Sequence, residues 1–167
     1  MIDLSKLSSR YEVRALHEED ADEILRLCEG NPQYYAYCEA RPEREQILAD
    51  LRVTPPGKDL SDKNFLGFYQ GETLMAVLDL VDGYPKPEIA FLGFFMMNRA
   101  FQGRGLGSEL IGELAAALRD TGKTALRLGI DKGNPQSTHF WQKNGFAVLR
   151  EVERPGGTLL LAEKKLK

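Results

Sequence analysis

The chain has 167 residues, 43% of them hydrophobic and 28% charged, which is enough to bury a substantial core and lies within the usual span of one domain, so a single domain over 1–167 is expected. Its formal net charge is -3 and its pI about 5.5, and no basic cluster interleaves with aromatics, so the electrostatic footprint of a nucleic-acid binder is missing. Met1 to Arg10 has no apolar core of signal-peptide length, and no stretch approaches the ~20 apolar residues that span a bilayer; a soluble, cytoplasmic protein without a membrane role is expected. The two cysteines, Cys28 and Cys38, and the two histidines give neither a Cys-x-x-Cys pair nor metal-ligand spacing, so reduced thiols and no metal are expected.

In chain order, Tyr11 to Leu16 reads as a short strand and Ala21 to Cys28 as a helix with Ile24, Leu25 and Leu27 on its apolar side. Asn31-Pro32-Gln33-Tyr34-Tyr35-Ala36-Tyr37 gathers half of the six tyrosines, with Tyr34 and Tyr37 at helical spacing. Pro42 to Leu51 reads as a helix with proline in its first turn, and Thr54-Pro55-Pro56-Gly57 breaks the chain. Phe65 to Tyr69 and Leu74 to Val81, joined by Gln70-Gly71-Glu72, read as a hairpin, and Asp82-Gly83-Tyr84-Pro85 turns the chain into a strand from Glu88 to Met97. Leu110, Ile111, Leu114, Ala115 and Leu118 recur at helical spacing, with Gly122 as a stop. Ala125 to Ile130 is strand-like, Asn134 and Pro135 open a helix ended by Gly145, and Ala147 to Glu153 with Leu159 to Lys165 form a terminal hairpin around Pro155-Gly156-Gly157. The tail Lys164-Lys165-Leu166-Lys167 reads as a solvated strand end. The expected sum is an α/β (α+β) fold, a mixed, mostly antiparallel central sheet with helices on both faces.

Two motifs carry chemistry. Gln102-Gly103-Arg104-Gly105-Leu106-Gly107 joins the apolar run from Ile89 to Met97 to the amphipathic helix, and its glycines let the backbone curl so that successive N–H groups approach an anion at the positive end of that helix. The spacing fits neither a P-loop nor a G-x-G-x-x-G fingerprint. The second motif is Asn134-Pro135-Gln136-Ser137-Thr138-His139-Phe140-Trp141-Gln142-Lys143-Asn144-Gly145-Phe146. The first motif, as Q-x-x-G-x-G, resembles the acetyl-CoA pyrophosphate signature of the GNAT superfamily of N-acetyltransferases. The second is similar to that family's N-x-x-A-x-x-F-Y-x-K-x-G-F element, matched by Asn134, Phe140, Lys143, Gly145 and Phe146, and the two occur in family order.

The resemblance implies acetyl transfer from acetyl-CoA to a nucleophile, most often a primary amine, by direct attack in a ternary complex. It implies that the strands before and after the pyrophosphate loop and its helix splay apart to admit the pantetheine arm. Carried over by position, the donor-binding set is the backbone of Phe95, Met96 and Met97, the loop Gln102, Gly103, Arg104, Gly105, Leu106, Gly107 and Ser108, and Asn134, Phe140 and Trp141. Gly93, a glycine inside an apolar strand, marks a bulge, a close approach or plain packing. Trp141 stands where the family usually has a tyrosine acid beside the sulfur, and an indole N–H is not a useful proton donor. Either Trp141 packs against the donor's acyl end or it is a core aromatic.

A general base is needed because an alkylammonium has a pKa near ~10.4. Asp79, inside an apolar strand, is the first candidate; Glu88, at the opening of the donor strand, and His139, within the second motif, are the others. Tyr34, Tyr37 and Tyr84 are candidate walls of an acceptor pocket or ordinary packing residues. The acceptor class stays open among small amines, amino acids, aminoglycosides, protein lysines and N-termini, and homodimerisation is common in the family. Two rivals stand beside an acetyltransferase: a non-catalytic acyl-CoA-binding sensor of the same fold, and an unrelated nucleotide-binding or structural α/β domain.

Overall fold

A computed structural model describes residues 2–37 and 41–166, so Cys38 and Lys167 lie outside the described residues. Seven strands form one sheet: β1 (Glu12–Ala15), β2 (Lys63–Gln70), β3 (Thr73–Asp82), β4 (Ile89–Met97), β5 (Ala125–Asp131), β6 (Ala147–Arg154) and β7 (Gly157–Lys165). Their order is β1-β2-β3-β4-β5-β7-β6, and every neighbouring pair is antiparallel except the parallel β4 and β5. The helices are α1 (Ala21–Glu29), α2 (Pro32–Tyr35), α3 (Arg44–Arg52), α4 (Leu106–Asp120) and α5 (Pro135–Lys143). The expected mixed sheet with helices on both faces is therefore present.

Strand alternation divides the buried side chains into two cores. Leu66, Phe68, Leu78, Leu92 and Leu126 point to one face, where Leu110, Ile111, Leu114 and Leu118 of α4 and Trp141 of α5 cover them. Phe65, Val77 and Met96 point to the other, under Ile24, Leu27 and Cys28 of α1 and Ile47 of α3. Burial pushes the Cys28 thiol pKa up, which suits an inert packing thiol. Among the described residues no helix is long and apolar enough to cross a membrane.

Several boundaries differ from the sequence reading. α3 starts at Arg44 after an extended Glu43, leaving Pro42 before the helix. β2 starts at Lys63, because a charged residue at a strand end pairs as well as an apolar one once its neighbours are in register, and Lys63 lies opposite Val81. Of the tail, Lys165 is exposed as expected, but its neighbours are not free. Lys164 donates to the Asn144 carbonyl at 2.8 Å, capping the C-terminus of α5 with a cation, and Leu166 is buried.

The feature that positions the site is the incomplete pairing of β4 with β5. The parallel ladder runs from Ile89 opposite Ala125 to Leu92 opposite Leu128 and stops there, while both strands continue. At the same point β4 carries an extra residue: Asp79 faces Phe94 and Leu80 faces Leu92, so Gly93 is a bulge. A bulge bends its strand and raises the local twist, which turns the end of β4 away from β5.

Candidate active site

The gap between the two strand ends opens into a cavity of about 450 Å³. Its walls come from both cores: Phe95, Met97, Leu106, Phe140 and Trp141 from the α4/α5 side, Met96 and Tyr34 from the α1 side. The glycine loop and the first turn of α4 line it, and so do Gly30, which ends α1, and Asn31–Tyr34.

The loop has the geometry of an anion site. Gly103 and Gly105 have φ of 77° and 75°, in the left-handed region that other residues rarely adopt, and a Cβ at either would meet open space, so conformation rather than crowding selects glycine there. Gly105 is the N-cap of α4, and the first N–H bonded back into the helix is that of Glu109, to the Gly105 carbonyl at 3.1 Å. The amides of Gly103 through Ser108 find no acceptor among the described residues. Free amides and the positive end of a fifteen-residue helix converge on one wall of the cavity, which fits a diphosphate. Arg104 turns its side chain back to the Ala100 carbonyl at 2.8 Å and lies over the Phe101 ring, and it does not line the cavity, unlike its neighbours Gly103 and Gly105.

Packing fixes that loop against α5. A Cβ on Gly107 would lie 3.2 Å from Phe140, so glycine lets the two helices approach. Asn144 at the end of α5 donates to Ser108 Oγ at 3.2 Å, and buried Asn134 caps the start of α5 by accepting from the Ser137 amide at 3.1 Å. Phe95 stacks on Phe140 with centroids 6.1 Å apart, and Trp141 sits edge-on to Phe95, Phe140 and Phe146. Only 8% exposed, Trp141 both belongs to the core and lines the cavity.

The β4 edge facing the gap offers backbone groups. Asn98 N–H donates to the Met75 carbonyl, and the alternation of an antiparallel ladder then turns Met96 toward β3 and the backbone of Phe95 and Met97 toward the gap. The Met97 carbonyl already accepts from Asn31 Nδ2 and Gln102 Nε2, each at 3.0 Å, and Gln102 also donates to Asn31 Oδ1. Buried Asn31 precedes α2, so one polar knot joins the glycine loop, the end of β4 and the helix carrying Tyr34.

The structure separates the three candidate bases. Asp79 is buried on the α1/α3 face beside the bulge, where a Cβ on Gly93 would lie 2.9 Å from Asp79 Oδ2. That oxygen is 2.7 Å from Lys63 Nζ, and the two side chains are 10% and 3% exposed. Asp79 Oδ1 has no hydrogen-bond partner among the described residues. Burial pushes the Asp79 carboxyl above its ordinary pKa, against the opposing pull of Lys63. Glu88 is exposed and precedes β4, seven residues from Phe95 and thus roughly 23 Å along the strand from the cavity. His139 lines the cavity rim on α5 but is exposed and on the face opposite Asp79.

Of the tyrosines, Tyr34 lines the cavity and meets the Phe94 ring edge-on at 6.5 Å. Tyr84 lies edge-on to Phe91 at 5.6 Å, outside the cavity wall. Tyr37 is 50% exposed, because α2 ends at Tyr35 and the helical spacing does not reach it. Lys63 is absent from the sequence-derived set; its signal is only a lysine bordering an apolar strand, near an aspartate in the hairpin partner.

A family model described as Acetyltransferase (GNAT) family matches residues 23–146. A 55-residue stretch is 38% identical to the L-amino acid N-acyltransferase MnaT of Escherichia coli (strain K12), covering 33% of this chain and about a third (32%) of that relative's length. Among solved structures, an acetyltransferase from Thermus thermophilus is 27% identical with a TM-score of 0.74, covering 93% of this chain and 96% of that one. The PaiA N-acetyltransferase from Thermoplasma acidophilum, solved in complex with coenzyme A, shares the fold at 20% identity with a TM-score of 0.66, covering 93% and 98% of the two chains.

Proposed function

Because this chain belongs to the acetyltransferase (GNAT) family, we propose that it transfers an acetyl group from acetyl-CoA to a primary amine by direct attack in a ternary complex. One observation carries this reading: the unbonded amides of Gly103 and of Gly105 to Ser108 lie, with the positive end of α4, on the cavity that the end of β4 and α5 also line. In that arrangement the loop amides hold the donor's diphosphate. The gap-facing backbone of Phe95 and Met97 pairs with the pantetheine amides, and Phe140 and Trp141 supply an apolar wall.

Asp79 is the base in this reading. The acceptor enters from the α1/α3 face past Tyr34, and Asp79 takes a proton from its ammonium, whose pKa near ~10.4 leaves the neutral amine scarce at neutral pH. The amine nitrogen then bonds to the acetyl carbon, backbone N–H groups of β4 beside the bulge stabilise the oxyanion, and the carbon–sulfur bond breaks. A thiol with a pKa of about 8.5 leaves as thiolate without an acid beside it, so Trp141 in place of a tyrosine is compatible with turnover. Solvent takes the second proton from the nitrogen as the amide forms, protonates the thiolate and receives the proton from Asp79.

The match to an L-amino acid N-acyltransferase makes the α-amine of a free amino acid the first acceptor class to test. The experiment is thiol release from acetyl-CoA with a mixture of the common L-amino acids, a polyamine and a lysine peptide, the N-acetyl product being identified by mass spectrometry. Transfer to one of them supports the reading. Binding of acetyl-CoA without transfer to any favours the sensor that the tryptophan substitution also allows, and no binding removes both.

A further inference from the structure

Asp79 and Lys63 make a pair that is incomplete as a structural ion pair. A buried pair that serves only the fold satisfies its remaining lone pairs with further donors, because an unmet buried acceptor is costly. Here Lys63 holds Oδ2 at 2.7 Å while Oδ1 has no partner among the described residues, and the neighbouring β4 residue is a glycine whose Cβ would collide with the carboxylate. Gly93 itself is exposed on that face, beside the Oδ2 side of the carboxylate where β4 parts from β5, while Oδ1 is buried.

We propose that Lys63 is a positioning residue for the transfer: its buried ammonium fixes the Asp79 carboxylate by Oδ2 beside the β4 bulge, anionic, with Oδ1 turned free for the acceptor's proton. This rests on the acetyltransferase reading above. Lys63 reaches this place because β2 and β3 pair with Phe65 opposite Asp79, which sets Lys63 diagonal to the aspartate on the same face. Its stem passes beside the Phe65 ring, with Nζ 5.7 Å from the centroid. The charged groups facing Asp79 are Lys63 from β2 and Asp50 from α3, and Asp50 is itself bound by Gln46 Nε2 at 2.9 Å. β4 presents Gly93 and Phe94 there, neither of which titrates. With Lys63 neutral, burial and Asp50 both favour the protonated acid, which is useless as a base.

The test compares wild type with Lys63→Met, Lys63→Gln and Lys63→Arg. The Asp79 side-chain carboxyl is followed by carbon NMR against pH, assigned with Asp79→Asn, and coenzyme A affinity is measured by calorimetry. Removing an adjacent cation raises a carboxyl titration by about one to three pH units. The expected result is such a rise in the Met and Gln variants, a wild-type midpoint in the Arg variant, and coenzyme A affinity within twofold in all of them. With the L-amino acid mixture as acceptor, the Met and Gln variants lose about tenfold in turnover at neutral pH and recover it as pH is raised through the new midpoint. A folded Met or Gln variant with an unmoved Asp79 midpoint, or lost turnover that higher pH does not restore, overturns the proposal. If wild type acetylates none of the mixture, the acceptor reading fails by itself, and the carboxyl titration alone decides for or against Lys63.

Discussion

The two sides of the β4–β5 gap are made from different materials. On the α4/α5 side the polar groups on offer are main-chain: unbonded amides at Gly103 to Ser108, with small residues admitting them and aromatics filling behind. On the α1/α3 side they are side chains: one buried carboxylate, one buried ammonium and a tyrosine edge. Main-chain recognition is set by a few residues whose only duty is shape, so it persists while the rest of the sequence changes. Side-chain recognition is set by identities that come together across strands. The first kind suits a donor common to a family, and the second a private acceptor.

The sharpest way to break this division is Asp79→Asn. General-base catalysis contributes about 10²–10⁴-fold, so turnover falls by that order while acetyl-CoA affinity stays within twofold. The pH profile carries the sign: because burial raises the Asp79 pKa, the active carboxylate of wild type is lost as pH falls at values above those of an exposed aspartate near ~3.9. Asp79→Asn removes that acid limb of kcat/KM. An unchanged limb would put the base elsewhere.

Gly93→Ala attacks the seam between the sides. The new Cβ lies 2.9 Å from Asp79 Oδ2, and Lys63 prevents that oxygen from yielding freely. Turnover is expected to fall about tenfold, the effect of displacing a base that acts only from hydrogen-bond distance, with donor affinity less affected. Equal loss of both in a kinetic and calorimetric comparison would mean that the bulge serves the donor alone.

Asn31→Leu removes the knot that ties the sides together. The Met97 carbonyl loses one of its two donors, and Gln102 loses one of its two acceptors. A thermal melt should show a loss of about 1–3 kcal/mol in stability. Trp141→Tyr is the smallest change: turnover should stay within about threefold, since the thiolate leaves unaided at a thiol pKa of about 8.5. A several-fold gain at unchanged donor affinity would show instead that the chain lacks an acid.

Legibility in the sequence follows the same division. The glycine loop, its helix and the cap at Asn134 are readable because positive φ, helical periodicity and capping are local properties, and Gly93 advertises its bulge by interrupting an apolar strand. Asp79 stands out for the same reason in reverse. Lys63 does not, because its meaning depends on hairpin register, which pairs residues sixteen positions apart. Glu88 is drawn in by belonging to the segment leading into the right strand, although strand length carries it to the wrong end. Tyr37 follows a helical spacing that the short α2 does not sustain.

The most direct measurement is calorimetric titration of acetyl-CoA into wild type and Gly105→Glu. The φ of 75° at Gly105 strains any residue with a Cβ, and a glutamate there sets a negative charge beside the open amides proposed to hold a diphosphate. Stoichiometric binding by wild type, weakened at least about a hundredfold in a folded variant, is the predicted result, equivalent to about 2.7 kcal/mol or more. Equal affinity in both proteins, or no binding by well-folded wild type, would contradict a donor site built from the backbone of this loop.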